Sequence, residues 1–582
     1  MIFPSTRKRA AISAASLLLI SSLGVVSCNE QKYLNVTDPG AISANNFPTK
    51  VADMDLSLID LYGRFRQGYY SDQFRYIAIL PDHTADMGYN GSGFNEYAEI
   101  RLQPGDGSLG FYWNTHNEAM IRCNNFLMNV EKLRPSFTKD DQAKLAVMEG
   151  QARFLRALHY FIIESLFGES TIQTEADRAK KGIPLWDGQL ATTIEQAARP
   201  RATVGEVWDF IIKDLTRSAE LLKGVKWDAA NTPRATEWSA KALLGKAYVF
   251  TKQYAKARDV LKDVIDNSGK KLVDFKTYST LFNGMNEFGD ESLFEINMTP
   301  DRKDVWNTQL NTATQYGIFI SPSYLEDDGK AEGTNGFGNL FIHDRNIDRF
   351  GFGDQTTSTE QMKTKAYFDR SVKARTDKTI DPRMLVSTLQ PWVDSIYVYD
   401  KWRKVTKNRA EGFVLTDNKA FNHRKYVLLD RGVWQGNSES LANNFIVLRL
   451  ADVMLLYAEA LRETGSTAEA LEFMNKVHRR AYDVPVNTPS KYDYKTFTDK
   501  TATVGSGDHL ANDPLKYERW AELFAEGHWW FDVCRWRIGD KEAAYYQKVK
   551  SGNLIWNDRK YAFPIPQDEM LSNPKMVQNP GY

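Results

Sequence analysis

Residues 236–267 read TEWSAKALLGKAYVFTKQYAKARDVLKDVIDN. Ala240, Leu243, Leu244, Gly245, Ala247 and Tyr248 recur at helical spacing in the first half. Gln253-Tyr254 makes a turn, and Ala257, Leu261, Val264 and Ile265 line a second helix. Small residues let two helices approach closely, and large ones fill the gaps between them. The stretch therefore predicts an antiparallel helix pair with a tight seam.

Residues 447–481 repeat the pattern: Ala458, Ala460 and Leu461 precede Gly465, then come Ala468, Ala470, Leu471 and Val477. Such units resemble tetratricopeptide repeats, although their spacing along the chain is irregular, as in ordinary antiparallel pairs. Leu56, Ile59, Leu61, Tyr62 and Phe65 begin the helical pattern near residue 51, and it returns at 112–132, 140–167 and 204–222. Between the two pairs, residues 270–440 are rich in Gly, Asn, Asp and Thr, with short β-prone runs such as Ser395-Ile396-Tyr397-Val398-Tyr399. That excursion is too long for one loop and predicts a loop-rich subdomain. Residues 483–513 form a further insertion. The fold class is mainly α: a tetratricopeptide-like helical scaffold carrying a loop-rich, partly β subdomain.

The N-terminus carries its own signal. Arg7, Lys8 and Arg9 precede an apolar run from Ala10 to Val26, and Val25-Val26-Ser27 leads into Cys28. Basic, apolar, then small is the layout of a secretory signal. A cysteine directly after the cleavage point marks a bacterial lipoprotein, whose thiol takes a diacylglycerol and whose new amine takes a further acyl chain. The apolar run is a little short for an uncleaved span of about 20 residues, and serines interrupt it. Residues 1–27 are thus a signal peptide and 28–50 a lipid-anchored, extended tether. Residues 51–270 form an N-terminal helical region with a ligand loop at 81–111, 271–440 the variable subdomain, and 441–582 a C-terminal helical region.

Residues 1–27 hold three of the 74 basic side chains and none of the 74 acidic ones, so the chain from Cys28 carries 71 against 74, a formal charge of −3. That balance argues against nucleic acid or an anionic membrane surface as partner. Cys123 and Cys534 are the other cysteines; a disulfide between them is possible, and two small buried hydrophobes is the expected state. Aromatics make up 12% of residues, with 14 Trp and 27 Tyr. Most must be core, but the surplus leaves flat apolar faces on which sugar rings can stack.

Several segments together resemble the SusD/RagB family of outer-membrane lipoproteins. Tyr33-Leu34-Asn35-Val36-Thr37-Asp38-Pro39-Gly40 with Asn46-Phe47 is similar to its start. Glu149 to Phe161, Arg449-Leu450-Ala451-Asp452 with Tyr457-Ala458-Glu459-Ala460, and Glu518 to His528 with Phe531-Asp532 and Arg535-Trp536 resemble its helical motifs. Pro564-Ile565-Pro566 and Gln578-Asn579-Pro580-Gly581-Tyr582 resemble its ending. Residues 290–440 match poorly apart from Asp381-Pro382-Arg383. The resemblance implies a SusD-like fold, a place in the outer membrane, and a lid over a SusC-like TonB-dependent transporter. Such a lid captures a glycan, or in some members a peptide, and hydrolyses nothing.

Glu518, Glu522 and Glu526 stand at i, i+4 and i+8, and neighbouring carboxyls on one helix face would approach the separation of a retaining glycosidase, about 5–5.5 Å. A surface hydrolase using Glu522 and Glu526 is therefore the rival from another class. Arg519, Arg535, Arg537 and His528 lie close in sequence, however, and ion pairing is the simpler fate of these acids. Arg153 and Arg156 read as structural partners of acids. No zinc or nucleotide motif occurs, and no cofactor or metal is expected. Asp344-Arg345-Asn346-Ile347-Asp348 has the alternation of a calcium loop without its glycine or closing glutamate, and reads as a solvated loop. Two loop regions supply aromatic faces ringed by polar groups. One has Asp86, Tyr89, Asn90, Phe94, Asn95 and Tyr97. The other has Trp306, Asn307, Gln309, Tyr316, Tyr324 and Phe337. Trp392 and Trp402 are secondary candidates.

Overall fold

The computed structural model describes residues 47–66, 100–188, 193–298, 320–322, 324–327, 330–333, 342, 344–353, 358–398, 401–407, 421–427, 443–501, 503–547 and 555–582. The chain divides into two units, Met1–Asp53 and Met54–Tyr582. In the first, the Asp53 carboxylate accepts the Thr49 N–H at 2.9 Å.

The second unit is built on helices in sequence. Helix α1 (Val51–Gly63) buries Met54, Leu58 and Leu61, while Leu56 and Ile59 of the expected stripe point outward. Helices α2 (Gly107–Leu133), α3 (Lys139–Phe167), α4 (Val204–Leu221), α5 (Glu237–Phe250) and α6 (Tyr254–Asn267) follow. Each of α2 to α6 packs on the next. Because α2 starts at Gly107, residues 107–111 belong to a helix rather than to the loop assigned to 81–111.

Local sequence explains where these helices start. The Thr203 hydroxyl accepts the Glu206 N–H while the Glu206 carboxylate accepts the Thr203 N–H, a capping box that satisfies donors the helix leaves free. Thr138 and Thr236 cap α3 and α5 in the same way, through Asp141 N–H and Ser239 N–H. At the α5–α6 seam, a Cβ added to Gly245 would lie 2.3 Å from a Leu261 methyl. Only glycine permits that approach.

After α6 the chain leaves the stack and returns 180 residues later. Helix α7 (Lys365–Thr376) belongs to this excursion; α8 (Leu450–Glu463) and α9 (Thr467–Ala481) resume the stack, with α8 packed directly on α6. The two helix pairs legible in the sequence are thus neighbours in space. Strand β1 (Ser292–Ile296) pairs antiparallel with β8 (Phe445–Arg449), Ile296 opposite Phe445. The excursion is therefore zipped shut at its base. Phe294 of β1 meets Phe154 of α3 edge-on at 4.7 Å, fixing that base to the stack.

Within the excursion, β2 (Tyr324–Asp327), β3 (Lys330–Gly333), β5 (Ser395–Val398) and β6 (Lys401–Lys407) form a sheet in the order β3-β2-β6-β5. Strands β4 (Thr388–Leu389) and β7 (Asn422–His423) make a separate pair. Residues Asp344–Arg349 form a short helix with Asn346 fully buried, so the expected solvated loop is corrected: Ile347 and Phe350 pull this turn into the core. Helices α10 (Pro514–Glu522), α11 (Trp529–Trp536) and α12 (Gly539–Gln547) complete the stack. Cys123 and Cys534 are buried thiols, not a disulfide, and burial pushes Cys123 up to about 12. Among the described residues no helix is long and apolar enough to cross a membrane.

Candidate functional site

The acids of the Glu518–His528 segment meet cations from distant parts of the chain. Helix α10 ends at Glu522, and Ala525 (φ 60°) and Gly527 (φ 76°) turn the backbone sharply, so Glu526 sits on a turn rather than on the helix face expected for it. The Arg449 guanidinium nonetheless reaches Glu522 at 2.6 Å, Glu526 at 2.6 Å and Glu291 at 2.7 Å. Arg480 donates to Glu291 at 3.1 Å and to Glu522. Lys425 reaches Glu526 at 2.6 Å. Glu518 is held by Arg383 at 2.6 Å and His478 at 2.8 Å, and Arg383 also binds Asp381.

The network extends outward from there. Asp452 joins Lys246 of α5 to Arg519 of α10. Glu459 and Asp532 share Arg535. Asp214 of α4 takes both Arg153 and Arg156 of α3 at 2.7 Å each. Planar guanidinium forks suit this work because one cation can satisfy several carboxylate oxygens at fixed angles.

The electrostatics at Glu522 and Glu518 run against a general-acid role. Burial alone would raise the Glu522 carboxyl; Arg480 and Arg449 outweigh it and hold it at about 2. Glu518 is likewise buried and is brought to about 2, chiefly by Arg383. A general acid needs the opposite shift and an open path to substrate. Glu522 and Glu526 are completely enclosed, so the hydrolase geometry drawn from their spacing is not realised.

One group of ligating side chains appears among the described residues: Asp508, His509 and Glu542. Arg349 donates to Asp508 at 2.6 Å and to Glu542 at 2.8 Å, and Trp529 Nε1 donates to Glu542 at 3.1 Å. Arg349 thus brings a guanidinium to this cluster.

Of the candidate ligand residues, Asp86, Tyr89, Asn90, Phe94, Asn95, Tyr97, Trp306, Asn307, Gln309, Tyr316 and Phe337 lie outside the described residues. Tyr324 opens β2, its backbone paired with Gly333 and Lys407. Trp392 is half-buried with the Lys363 ammonium 5.9 Å from its ring. Trp402 is 64% exposed and stands 5.8 Å from Tyr397, ring planes 63° apart. Local sequence marked Trp402 as a candidate and Tyr397 only as part of a β-prone run; their juxtaposition depends on the β5–β6 register.

Two open grooves went unforeseen. One of about 490 Å³ runs between α2, α3 and α4, lined by Asn124, Arg153, Asp187, Phe210 and Lys213. The other, of about 720 Å³, shares Leu185, Asp187 and Glu206 with it and continues past Arg199 and Lys575. Both assemble residues far apart in sequence.

Comparison with known proteins agrees with this architecture. Residues 290–582 match the family model described as "SusD family", and residues 32–249 match one described as "Starch-binding associating with outer membrane". SusD-like protein P2 of Formosa agariphila is 23% identical over 576 residues, covering 97% of this chain and 98% of its own. The structure of a SusD-like protein from Bacteroides fragilis superposes with a TM-score of 0.71 at 20% identity, covering 93% of this chain and 99% of that one. Surface glycan-binding protein A from Bacteroides fluxus superposes with a TM-score of 0.63 at 20% identity, covering 92% and 100%. With a family model spanning more than half of its length and its helices stacked as in these relatives, the chain belongs to the SusD family.

Proposed function

We propose that this chain is a cell-surface glycan-binding lipoprotein, lipidated at Cys28, that serves as the lid of a SusC-like TonB-dependent transporter in oligosaccharide uptake. Family membership is the observation that carries this reading. The description of the second family model, with starch binding and outer-membrane association, supports both the ligand class and the location. A structural relative named as a surface glycan-binding protein supports the ligand class again. Burial of Glu522 and Glu526 in ion pairs favours capture without cleavage.

The ligand-binding residues are proposed to lie in the loop segments holding Asp86, Tyr89, Asn90, Phe94 and Tyr97, and Trp306, Tyr316 and Tyr324. Isothermal titration of the soluble protein, Cys28 removed, against a panel of polysaccharides and peptides tests the reading. Saturable binding of a polysaccharide and co-purification of a barrel transporter with the lipidated form are expected. Binding of peptides alone would make this a peptide-capturing lid. Binding of neither class, with no transporter, overturns the proposal.

A further inference from the structure

The sheet β3-β2-β6-β5 has two unlike faces, and register fixes which residues share each. Tyr397 is opposite Trp402, Ile396 opposite Arg403, and Ser395 opposite Lys404. On the other side of β6, Leu325 is opposite Val405 and Glu326 opposite Lys404. Side chains alternate between faces along a strand. One face therefore carries Leu325, Ile396, Arg403 and Val405, all buried. The other carries Tyr397 and Trp402 in one row, and Ser395, Lys404 and Glu326 in the next.

That outer face is open. Trp402 is 64% exposed, Ser395 and Lys404 are exposed, and Tyr397 and Glu326 are half-buried. The Tyr397 and Trp402 rings lie 5.8 Å apart with their planes 63° to one another, which makes an angled aromatic corner. The neighbouring row supplies a hydroxyl, an ammonium and a carboxylate at the spacing of adjacent strands.

We propose that this outer face is a stacking platform for a single pyranose ring of a glycan, seated on Trp402 beside Tyr397 with Ser395, Lys404 and Glu326 around its hydroxyls. A pyranose has an apolar face for the indole and a rim of hydroxyls that both donate and accept, which is what the second row offers. A protein partner fits poorly. The core of a protein docking site is depleted in charged residues, which are kept to its rim. Among the described residues, the apolar part here is two rings wide and charges stand directly beside it. The proposal rests on the glycan-binding reading above and adds a place and a contact geometry to it.

The test uses the full soluble protein and the polysaccharide of highest affinity in the titration panel. Trp402→Ala is expected to weaken that binding about tenfold or more, Trp402→Phe only about threefold, since a smaller ring keeps part of the stacking. Both variants should melt with the wild type. Lys404→Ala should weaken binding by a smaller factor without touching the aromatic pair. Equal affinity of the wild type and Trp402→Ala for a polysaccharide that binds overturns the platform and leaves the glycan-binding reading standing. Trp402→Ala that keeps its polysaccharide but loses the transporter in co-purification makes this face a protein contact and also overturns it. A panel in which no polysaccharide binds the wild type sinks the glycan-binding reading, and the platform with it.

Discussion

Arg449, the last residue of β8, is enclosed with Glu291, Glu522 and Glu526 around it, whereas Trp402, on β6 of the same excursion, is 64% exposed beside one aromatic neighbour. The first residue stands where the excursion rejoins the helical stack, the second on its outer sheet. In the stack and at its joint with the excursion, charged residues such as Arg449, Arg480 and Arg519 are buried against opposite charges. On the sheet, an aromatic residue is left in water. Large charged residues inside depart from the usual distribution, and on the sheet an aromatic pair, not a lone ring, faces water. Inside, the departure is resolved by pairing, so it contributes rigidity and unique geometry. Outside, nothing in the described residues covers Trp402, so its contact surface is available to a ligand.

The largest effect should come from breaking the enclosed end of this contrast. Arg449→Ala removes the cation shared by three buried carboxylates, leaving Glu291 and Glu522 to Arg480 and Glu526 to Lys425, and removing one partner of a buried ion pair costs about 3–5 kcal/mol. The variant should unfold at markedly lower denaturant, or fail to accumulate. An unfolding midpoint near that of the wild type would show that the network carries little of the stability.

Next comes the seam. Gly245→Ala places a Cβ 2.3 Å from a Leu261 methyl in a fully packed region, and overpacking of this kind costs about 1–3 kcal/mol. Pairing it with Leu261→Ala should recover part of the loss, read as a rise in thermal midpoint. No recovery would place the strain elsewhere.

A third effect should follow pH. His116 and His159 face each other, Nδ1 to Nδ1 at 2.9 Å, in the core between α2 and α3, with Phe65 stacked on His159 at 4.0 Å. Burial brings His116 down to about 3 and His159 well below its ordinary value. The folded state thus keeps both neutral while the unfolded chain takes up protons below about 6.5. Stability is full above that pH and falls as pH drops towards 3, by about 1.4 kcal/mol per unit for each histidine. His423 and His528 are likewise buried and lowered, and burial raises Glu164, so these groups also bear on the slope and the share of the pair is read by difference between variant and wild type. His116→Gln should flatten the slope, and an unchanged slope would assign it to other groups.

The smallest effect is expected at the open end. Trp402→Ala should change stability by no more than about 0.5 kcal/mol, as for an exposed site away from caps and core. A drop of several degrees in melting temperature would make Trp402 part of the packing and erase the contrast.

The helices were legible because their signal is local. Apolar spacing over 236–267 and 447–481 and threonine caps act within a few residues, and the structure places helices there. Ion pairing of Glu518 and Glu522 was the right expectation with the wrong partners: nearby Arg519, Arg535 and Arg537 bind Asp452, Asp532, Glu459 and Asp558, while Arg383, Arg449 and Arg480 hold the two glutamates. Those partners were not legible. Arg449, Arg480 and Glu291 come from strands and helices tens to hundreds of residues away, and periodicity carries no information about which helix meets which. The same limit hid the packing of α8 on α6 across the excursion and the β1–β8 zipper. Glu526 left the expected helix face because Ala525 and Gly527 adopt positive φ, a backbone choice that an i, i+4 count cannot register. Asn346 looked like a solvated ligand but lies beside Ile347, whose burial draws the whole turn inward. On the sheet, Tyr397 and Trp402 were visible singly, and only the pairing of β5 with β6 sets them side by side.

Capture without cleavage is most directly tested by incubating the purified protein with each polysaccharide and following bound ligand and new reducing ends in the same sample. The account predicts saturable binding of at least one polysaccharide with no reducing ends released. Release of reducing ends, or binding by none of them, would contradict it.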